Sequence, residues 1–357
     1  MTGRALVYGV TGQAGSAIAR RLIEEGVDVV VAGRDAARTA AAAEALGRPG
    51  RAFPLTSDNL IDEALADIAV VLHAAGPFVE TAQPMMSACI RTRTHYLDLA
   101  GEWPVFTEAQ ELSAGAARAG MMLVPGAGFT LVASDCLLAH AARARPDSVK
   151  LRLAVSRPDT VSRATIRSLA SLIGPDIFVR REGRLAPEPV GRLRRVIDFG
   201  EGLRETTAVC WPDIVTAEFT TGVANIETYA ESDWLQRVAH RLSASTGAVI
   251  GERARRTAST ILSLAWPERP PRASNRKGFV LVVEAVDRWR RATTFRMHAG
   301  DGYTVSVATA CAMIRRTLAG DWAPGFRTPA SLYGSRFITD LGCAELEKFS
   351  DLTVSVS

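Results

Sequence analysis

The sequence predicts an α/β protein with a doubly wound parallel sheet at the N-terminus and a second domain after it. Three observations carry this. At 357 residues the chain exceeds one ordinary domain. Its first third alternates short apolar runs with helical periods, the pattern of βαβ units. A glycine-rich turn separates the first apolar run from the first helical one.

The expected order is as follows. Strand one is Ala5–Tyr8, and its helix runs through Ala17, Ile18, Leu22 and Ile23 to Gly26. Strand two is Val27–Ala32, followed by a helix over Ala36–Leu46. Strands three to six are Ala52–Leu55, Ile68–His73, His95–Leu99 and Met121–Val124. Strands two, four and six are unbroken apolar runs, as expected where helices cover both faces of a parallel sheet.

The turn after strand one reads Gly9-Val10-Thr11-Gly12-Gln13-Ala14-Gly15, a G-x-x-G-x-x-G spacing. Gly9 and Gly12 permit a tight turn and close backbone approach, and Gly15 lets helix and strand pack closely. The helix N-terminus, with Thr11, Gln13 and Ala14 around it, then offers free N–H groups to a pyrophosphate.

The end of strand two decides between dinucleotides. A carboxylate there would bond a ribose 2′-OH. Here Gly33 is followed by Arg34, with Arg38 one turn into the next helix. A guanidinium grips a 2′-phosphate with paired hydrogen bonds, so NADP(H) is the expected cofactor. Asp35 is read as a helix cap. Asp58 either accepts from an adenine amino group or caps the helix of Leu60–Leu65.

Strand four ends in His73-Ala74-Ala75-Gly76-Pro77-Phe78, whose small residues leave room for a nicotinamide ribose. Strand five ends Tyr96-Leu97-Asp98-Leu99-Ala100-Gly101-Glu102, and strand six ends Pro125-Gly126-Ala127-Gly128-Phe129. Ala75, Gly76, Pro77, Gly126 and Gly128 are therefore expected at the cofactor.

With these segments in view, the chain resembles the saccharopine dehydrogenase-like reductases. The matching runs are Gly9–Gly15, Val31–Asp35, Ala74–Phe78, His95–Glu102 and Pro125–Phe129. Gly300–Gly320 and Phe326–Gly334 resemble the branch called trans-acting enoyl reductases. The resemblance implies a Rossmann domain to which C-terminal helices return. It also implies an inserted α+β domain for substrate and dimer contacts. The expected division is 1–145 with 304–345 for the first domain and 146–303 for the second.

The residues support a second domain independently. After a helix from Leu131 to Arg145, the run Val149–Val155 alternates like a half-buried strand. A helix is expected at Ala164–Ile173. Strands are expected at Phe178–Arg181, Val196–Phe199, Thr206–Val209, Ala217–Thr220 and Asn225–Tyr229, as an antiparallel sheet. Helices at Asp233–Leu242 and Ala254–Leu264 follow, then an exposed loop at Arg272–Lys277. Strands Gly278–Val286 and Arg291–His298 and a helix at Thr304–Leu318 complete the chain.

Competing chemistries fall away. A short-chain dehydrogenase needs Tyr four residues before Lys. The only lysines, Lys150, Lys277 and Lys348, have Pro146, Ala273 and Ala344 there. Cys89, Cys136 and Cys311 lie in apolar helical runs, where a buried thiol is not an activated nucleophile. No His/Cys/Asp cluster marks a metal site. The five cysteines show no CxxC and suit a reducing compartment.

Hydride transfer with little acid–base machinery is left, the cofactor supplying the chemistry. Tyr96, Asp98, Glu102 and Tyr303 are the candidate catalytic groups. Asp98 or Glu102 either relays a proton or caps the helix that begins near Trp103. Tyr303 either protonates the product or is a packed aromatic. The expected activity is NADPH-dependent reduction of a C=N or conjugated C=C bond in a small molecule. The alternative is an NADP(H) sensor without turnover.

Net charge is +4, and the arginines are scattered without a basic stripe, so no nucleic-acid partner is expected. No apolar run approaches the roughly 18 residues that span a bilayer. The N-terminus goes straight into a strand without a signal-peptide shape. A cytoplasmic homodimer with no membrane partner is the expectation.

Overall fold

A computed structural model describes residues 3–156, 176–232, 278–347 and 354–355. The chain divides into two compact units, 1–132 with 302–334, and 133–301 with 335–357.

The first unit is built on a seven-stranded sheet in which every pairing is parallel, in the order β15-β6-β5-β4-β1-β2-β3. The strands are β1 (Ala5–Tyr8), β2 (Val29–Gly33), β3 (Gly50–Ala52), β4 (Val70–His73), β5 (His95–Asp98), β6 (Met122–Val124) and β15 (Gly325–Phe326). β1, β2 and β4 are buried at every position, which is why their sequences are apolar without alternation. Helix α1 (Gln13–Glu24) buries Ile18, Ala19 and Leu22. Helices α2 (Ala36–Leu46), α3 (Asp58–Leu65), α4 (Phe78–Thr92), α5 (Trp103–Glu111) and α6 (Ser113–Ala119) complete the βα alternation. Helix α7 (Phe129–Ala144) leaves this unit, and the division falls within it, after Val132.

The chain returns through α9 (Gly302–Leu318), which packs on α1, β4 and β5. The Thr309 hydroxyl donates to the Ala127 carbonyl at 2.8 Å, and the Phe129 N–H donates to Ser306 Oγ at 2.9 Å. The last part of the return differs from the expected boundary. Residues 335–347 belong to the second unit, because β16 (Ala344–Leu346) pairs with the strand over Arg291–Ala299. β15 is only two residues long, too short to leave a periodic signal.

The second unit holds β7 (Ser148–Val155), β8 (Asp176–Arg181), β9 (Arg184–Pro189), β10 (Arg194–Asp198), β11 (Leu203–Ala208), β12 (Ile226–Glu231), β13 (Phe279–Asp287), β14 (Arg291–Ala299), β16 and β17 (Val354–Ser355). It is mixed and not purely antiparallel, since β12 pairs with β7 in parallel. The expected strand at Ala217–Thr220 is instead part of helix α8 (Asp213–Thr221). Pro212 caps its start and Gly222 ends it at φ 74°, signals that outweigh the β-preferring threonines. Short helices α10 (Pro329–Tyr333) and α11 (Phe337–Asp340) flank the unit boundary in the C-terminal segment. The expected helices at 164–173, 233–242 and 254–264, and the loop at 272–277, lie outside the described residues.

Candidate functional site

All strands of the first sheet are parallel, so their carboxyl ends share one edge. The order reverses between β1 and β4, and that switch point is where an open α/β sheet leaves a crevice. The Gly9 turn leaves β1 there, and residues 74–77 leave β4 beside it.

The turn is held by backbone. The N–H groups of Gly9 and Val10 donate to the Ala32 carbonyl at 2.8 and 3.1 Å, and Gly12 N–H donates to Gly9 O at 3.0 Å. Gly9 has φ +94°, and a Cβ on it would stand 2.8 Å from the Ala74 carbonyl carbon. A Cβ on Gly15 would stand 2.4 Å from Gly9 O. Gly12, the N-cap of α1, supplies no side-chain cap. The first-turn N–H groups of Gln13, Ala14 and Gly15 are the ones an α-helix leaves without an internal partner. Thr11, Gly12 and Gln13 are exposed. This is a bare, positively polarised helix end with its side-chain volume removed, which fits a dinucleotide pyrophosphate.

Gly33 ends β2 under Thr39, and Arg34 and Arg38 are both exposed beyond it. Arg34 is near enough to the phenol of Tyr8, at the end of β1, to favour its ionised form, although burial dominates and pushes that phenol up to about 12. The Asp35 carboxylate accepts the Arg38 N–H at 2.9 Å and caps α2. Asp58 opens α3 and pairs with Arg91 at 3.4 Å.

The loop after β4 contains a cis Gly76–Pro77 bond, and Gly76 is exposed. Two side chains hold it. The Thr81 hydroxyl lies 2.8 Å from the Ala75 carbonyl and 3.0 Å from that of Pro77. It also lies 2.9 Å from His73 Nε2. His73 is fully buried, stacked on Tyr8 with centroids 5.5 Å apart, and burial pushes its imidazole down to about 3. It is a neutral structural histidine, and its link to the loop through Thr81 has no local signature in the sequence.

The second holder is Glu102. One carboxylate oxygen accepts the Phe78 N–H at 3.2 Å, at the start of α4, and the other accepts the Gly101 N–H at 2.9 Å. Glu102 is 1% exposed.

Asp98 is enclosed in the same way. Its Oδ1 accepts from Gly126 N–H at 2.7 Å and Ala100 N–H at 2.8 Å, and Oδ2 accepts the Tyr96 hydroxyl at 2.7 Å. Burial pushes its carboxyl up to about 7, opposed by those donors. Burial, with Asp98 beside it, holds the Tyr96 phenol far above its ordinary range. The structure thus brings Tyr96, Asp98 and Glu102 together beneath the strand ends, with their polar atoms committed to backbone or to one another. Their geometry is that of loop fasteners and not of groups presented to a ligand.

Gly126, at φ +77°, and Gly128 are buried. A Cβ would meet Leu131 and Phe106 at 2.9 Å in the first case and Ser306 Oγ at 3.0 Å in the second, so protein fills the space. Tyr303 stands beside the glycine turn. It is 42% exposed, and its hydroxyl donates to the Gln13 carbonyl at 3.1 Å, beside the pyrophosphate cradle.

Among the described residues no group of three or more His, Cys, Asp or Glu is placed to hold a metal. No described helix is long and apolar enough to cross a membrane.

Comparison with known proteins agrees with this geometry. Residues 5–124 match the model of the saccharopine dehydrogenase NADP binding domain. A putative trans-acting enoyl reductase of Mycobacterium tuberculosis is 35% identical over 149 residues, 39% of this chain and 36% of that protein. A trans-acting enoyl reductase of Mycobacterium leprae is 33% identical over 138 residues, 36% of this chain and 33% of that protein. The chain spans about a third of the length of these curated relatives.

In fold the chain is similar to saccharopine dehydrogenase (L-Glu forming) from Saccharomyces cerevisiae. The TM-score is 0.59 at 12% identity over 97% of this chain and all of that one. It is similar in fold to a homospermidine synthase from Legionella pneumophila solved with NAD, again at TM-score 0.59 and 12% identity, over 99% and 93% of the two chains. The cofactor is NADP(H), and residues 5–124 are similar to the NADP binding domain of saccharopine dehydrogenase.

Proposed function

We propose that this chain is an NADPH-dependent reductase that delivers hydride to a polarised double bond, C=N or conjugated C=C, of a small metabolite or biosynthetic intermediate. The observation that carries the reading is the switch point in strand order between β1 and β4, at the carboxyl edge of the first sheet. The glycine turn and bare α1 terminus lie on one side of it, and the exposed Gly76 loop on the other. The reductase names of the curated relatives support the direction of transfer.

NADPH supplies the hydride when bound. The chain's own residues bind and position. The N–H groups of Gln13, Ala14 and Gly15 would hold the pyrophosphate, and Tyr303 fixes the turn's first helical carbonyl. Arg34 and Arg38 take the 2′-phosphate. Thr81 and Glu102 hold the 75–78 loop, and Asp98 ties the end of β5 to the end of β6, so that the loops that would receive the nicotinamide keep a fixed spacing. Asp98, Tyr96 and Glu102 act by position, since none presents a free proton to the crevice.

The test is NADPH oxidation, followed at its absorbance band, against imines, enoyl thioesters and aldehydes. Turnover with imines or enoyl thioesters is expected. Tight NADPH binding with no oxidation across the panel would instead make the chain a cofactor sensor.

A further inference from the structure

The tip of the β13–β14 hairpin places an exposed aromatic ring among cations. Trp289 is 60% exposed. The guanidinium carbons of Arg288 and Arg291 stand 4.6 and 4.8 Å from its ring centroid. Arg290 follows in left-handed backbone at φ 63°.

The turn is built to hold this display. Its one acid, Asp287, is 2% exposed and already engaged. Oδ1 accepts the N–H groups of Trp289 and Arg291 at 2.9 Å each, and Oδ2 accepts Arg291 Nε at 2.7 Å. Arg291 is neutralised by that pair, whereas Arg288 and Arg290 carry no ion pair among the described residues. The tip therefore projects an indole and two guanidinium groups that have no ion pair among the described residues.

We propose that this tip is a peripheral docking element for an anionic lipid surface. An indole prefers the headgroup level, where its ring is buried and its N–H stays wet. Guanidinium groups are drawn to the same layer by negatively charged headgroups. Geometry favours a bilayer over a folded protein partner. A stable protein interface buries on the order of 1,000 Å² or more, and a convex tip of four residues supplies a small fraction of that. A bilayer demands no matching shape. Duplex nucleic acid is disfavoured because the sequence has no basic stripe to follow a backbone. The expectation of no membrane partner rested on the lack of an apolar span, which this mode of contact does not need.

The experiment is co-sedimentation of the full chain with vesicles of phosphatidylcholine alone and of phosphatidylcholine with phosphatidylglycerol. Binding is expected only to the second, weakening as salt is raised. Trp289→Ala should weaken it severalfold, and the double change Arg288→Ser with Arg290→Ser by tens-fold. Arg291 is kept, since it braces the turn. NADPH binding by each variant should match the parent, which shows that the fold survives. The proposal is overturned if the parent ignores anionic vesicles, or if the variants sediment as well as the parent does. Trp289-dependent binding to duplex DNA without vesicle binding overturns it as well, by giving the tip another ligand.

Discussion

The Asp98 carboxylate accepts the Gly126 N–H at 2.7 Å, although the two residues are 28 positions apart in sequence. Through that bond and its bond to Ala100, the last residue of β5 fixes the loops leaving two neighbouring strands. Asp98→Ala strands two buried N–H groups and the Tyr96 hydroxyl. It should cost about 2–4 kcal/mol of stability, as expected for several buried donors left unpaired. NADPH affinity should fall with it. Asp98→Asn keeps an acceptor for both N–H groups and should lose much less. Denaturant unfolding and cofactor titration of the two variants check this, and an alanine variant as stable as the parent contradicts it.

The same carboxyl gives a pH dependence. Its pKa is raised by burial to about 7 in the folded chain, against 3.8 for the free side chain. Between those values the native state holds a proton that the unfolded chain has released. This group's contribution to stability is therefore full below about pH 4 and is lost as pH rises towards 7. The decline should be roughly a few kcal/mol, given about 1.4 kcal/mol per pKa unit. It should be absent from Asp98→Asn. Unfolding curves of parent and variant across that window give the difference directly. Asp213, also buried and raised, titrates in both and cancels.

Glu102 spans two loops with one carboxylate, to Phe78 N–H at the start of α4 and to Gly101 N–H. Glu102→Ala should cost about 1–3 kcal/mol and loosen the 75–78 loop. Faster proteolysis near that loop and weaker NADPH binding are the expected readouts. Glu102→Gln, which can accept only one of the two bonds, should fall between. A fully inert Glu102→Ala would show that Thr81 alone holds the loop.

Much of this was legible in the sequence. The unbroken apolar runs of β1, β2 and β4 are what a sheet buried on both faces requires. The glycine spacing announced a turn that tolerates no side chain at Gly9 or Gly15. Asp35 capped its helix as read. The site acids were less legible. Asp98 and Glu102 stand at strand ends, where sequence cannot tell a carboxylate facing a ligand from one facing backbone N–H groups across 24 or 28 positions. Gly126 and Gly128 looked like room for a cofactor and are room for Phe106, Leu131 and Ser306. Tyr303 lies far along the chain from the turn it touches, so its bond to Gln13 had no local signal. The helix at 213–221 was hidden by its threonines, while its proline and glycine ends were the better guide.

Gly15→Ala sets helix propensity against close packing. Alanine in α1 should gain up to about 1 kcal/mol by propensity. Its Cβ, however, would lie 2.4 Å from the Gly9 carbonyl oxygen, a backbone atom that cannot swing aside. The overlap wins, so the variant should lose stability and bind NADPH at least tenfold more weakly. Improved thermal stability with unchanged binding would show that the turn has slack.

The central claim is that this crevice selects NADPH through Arg34. Titration of the parent and of Arg34→Asp with NADPH and NADH tests it most directly. The parent should bind NADPH at least tenfold more tightly than NADH, as one lost charge-assisted phosphate contact of about 1.5–3 kcal/mol implies. Arg34→Asp should erase or reverse that ratio with little change in NADH affinity. Equal binding of the two cofactors by the parent, or an unchanged preference in the variant, would contradict it.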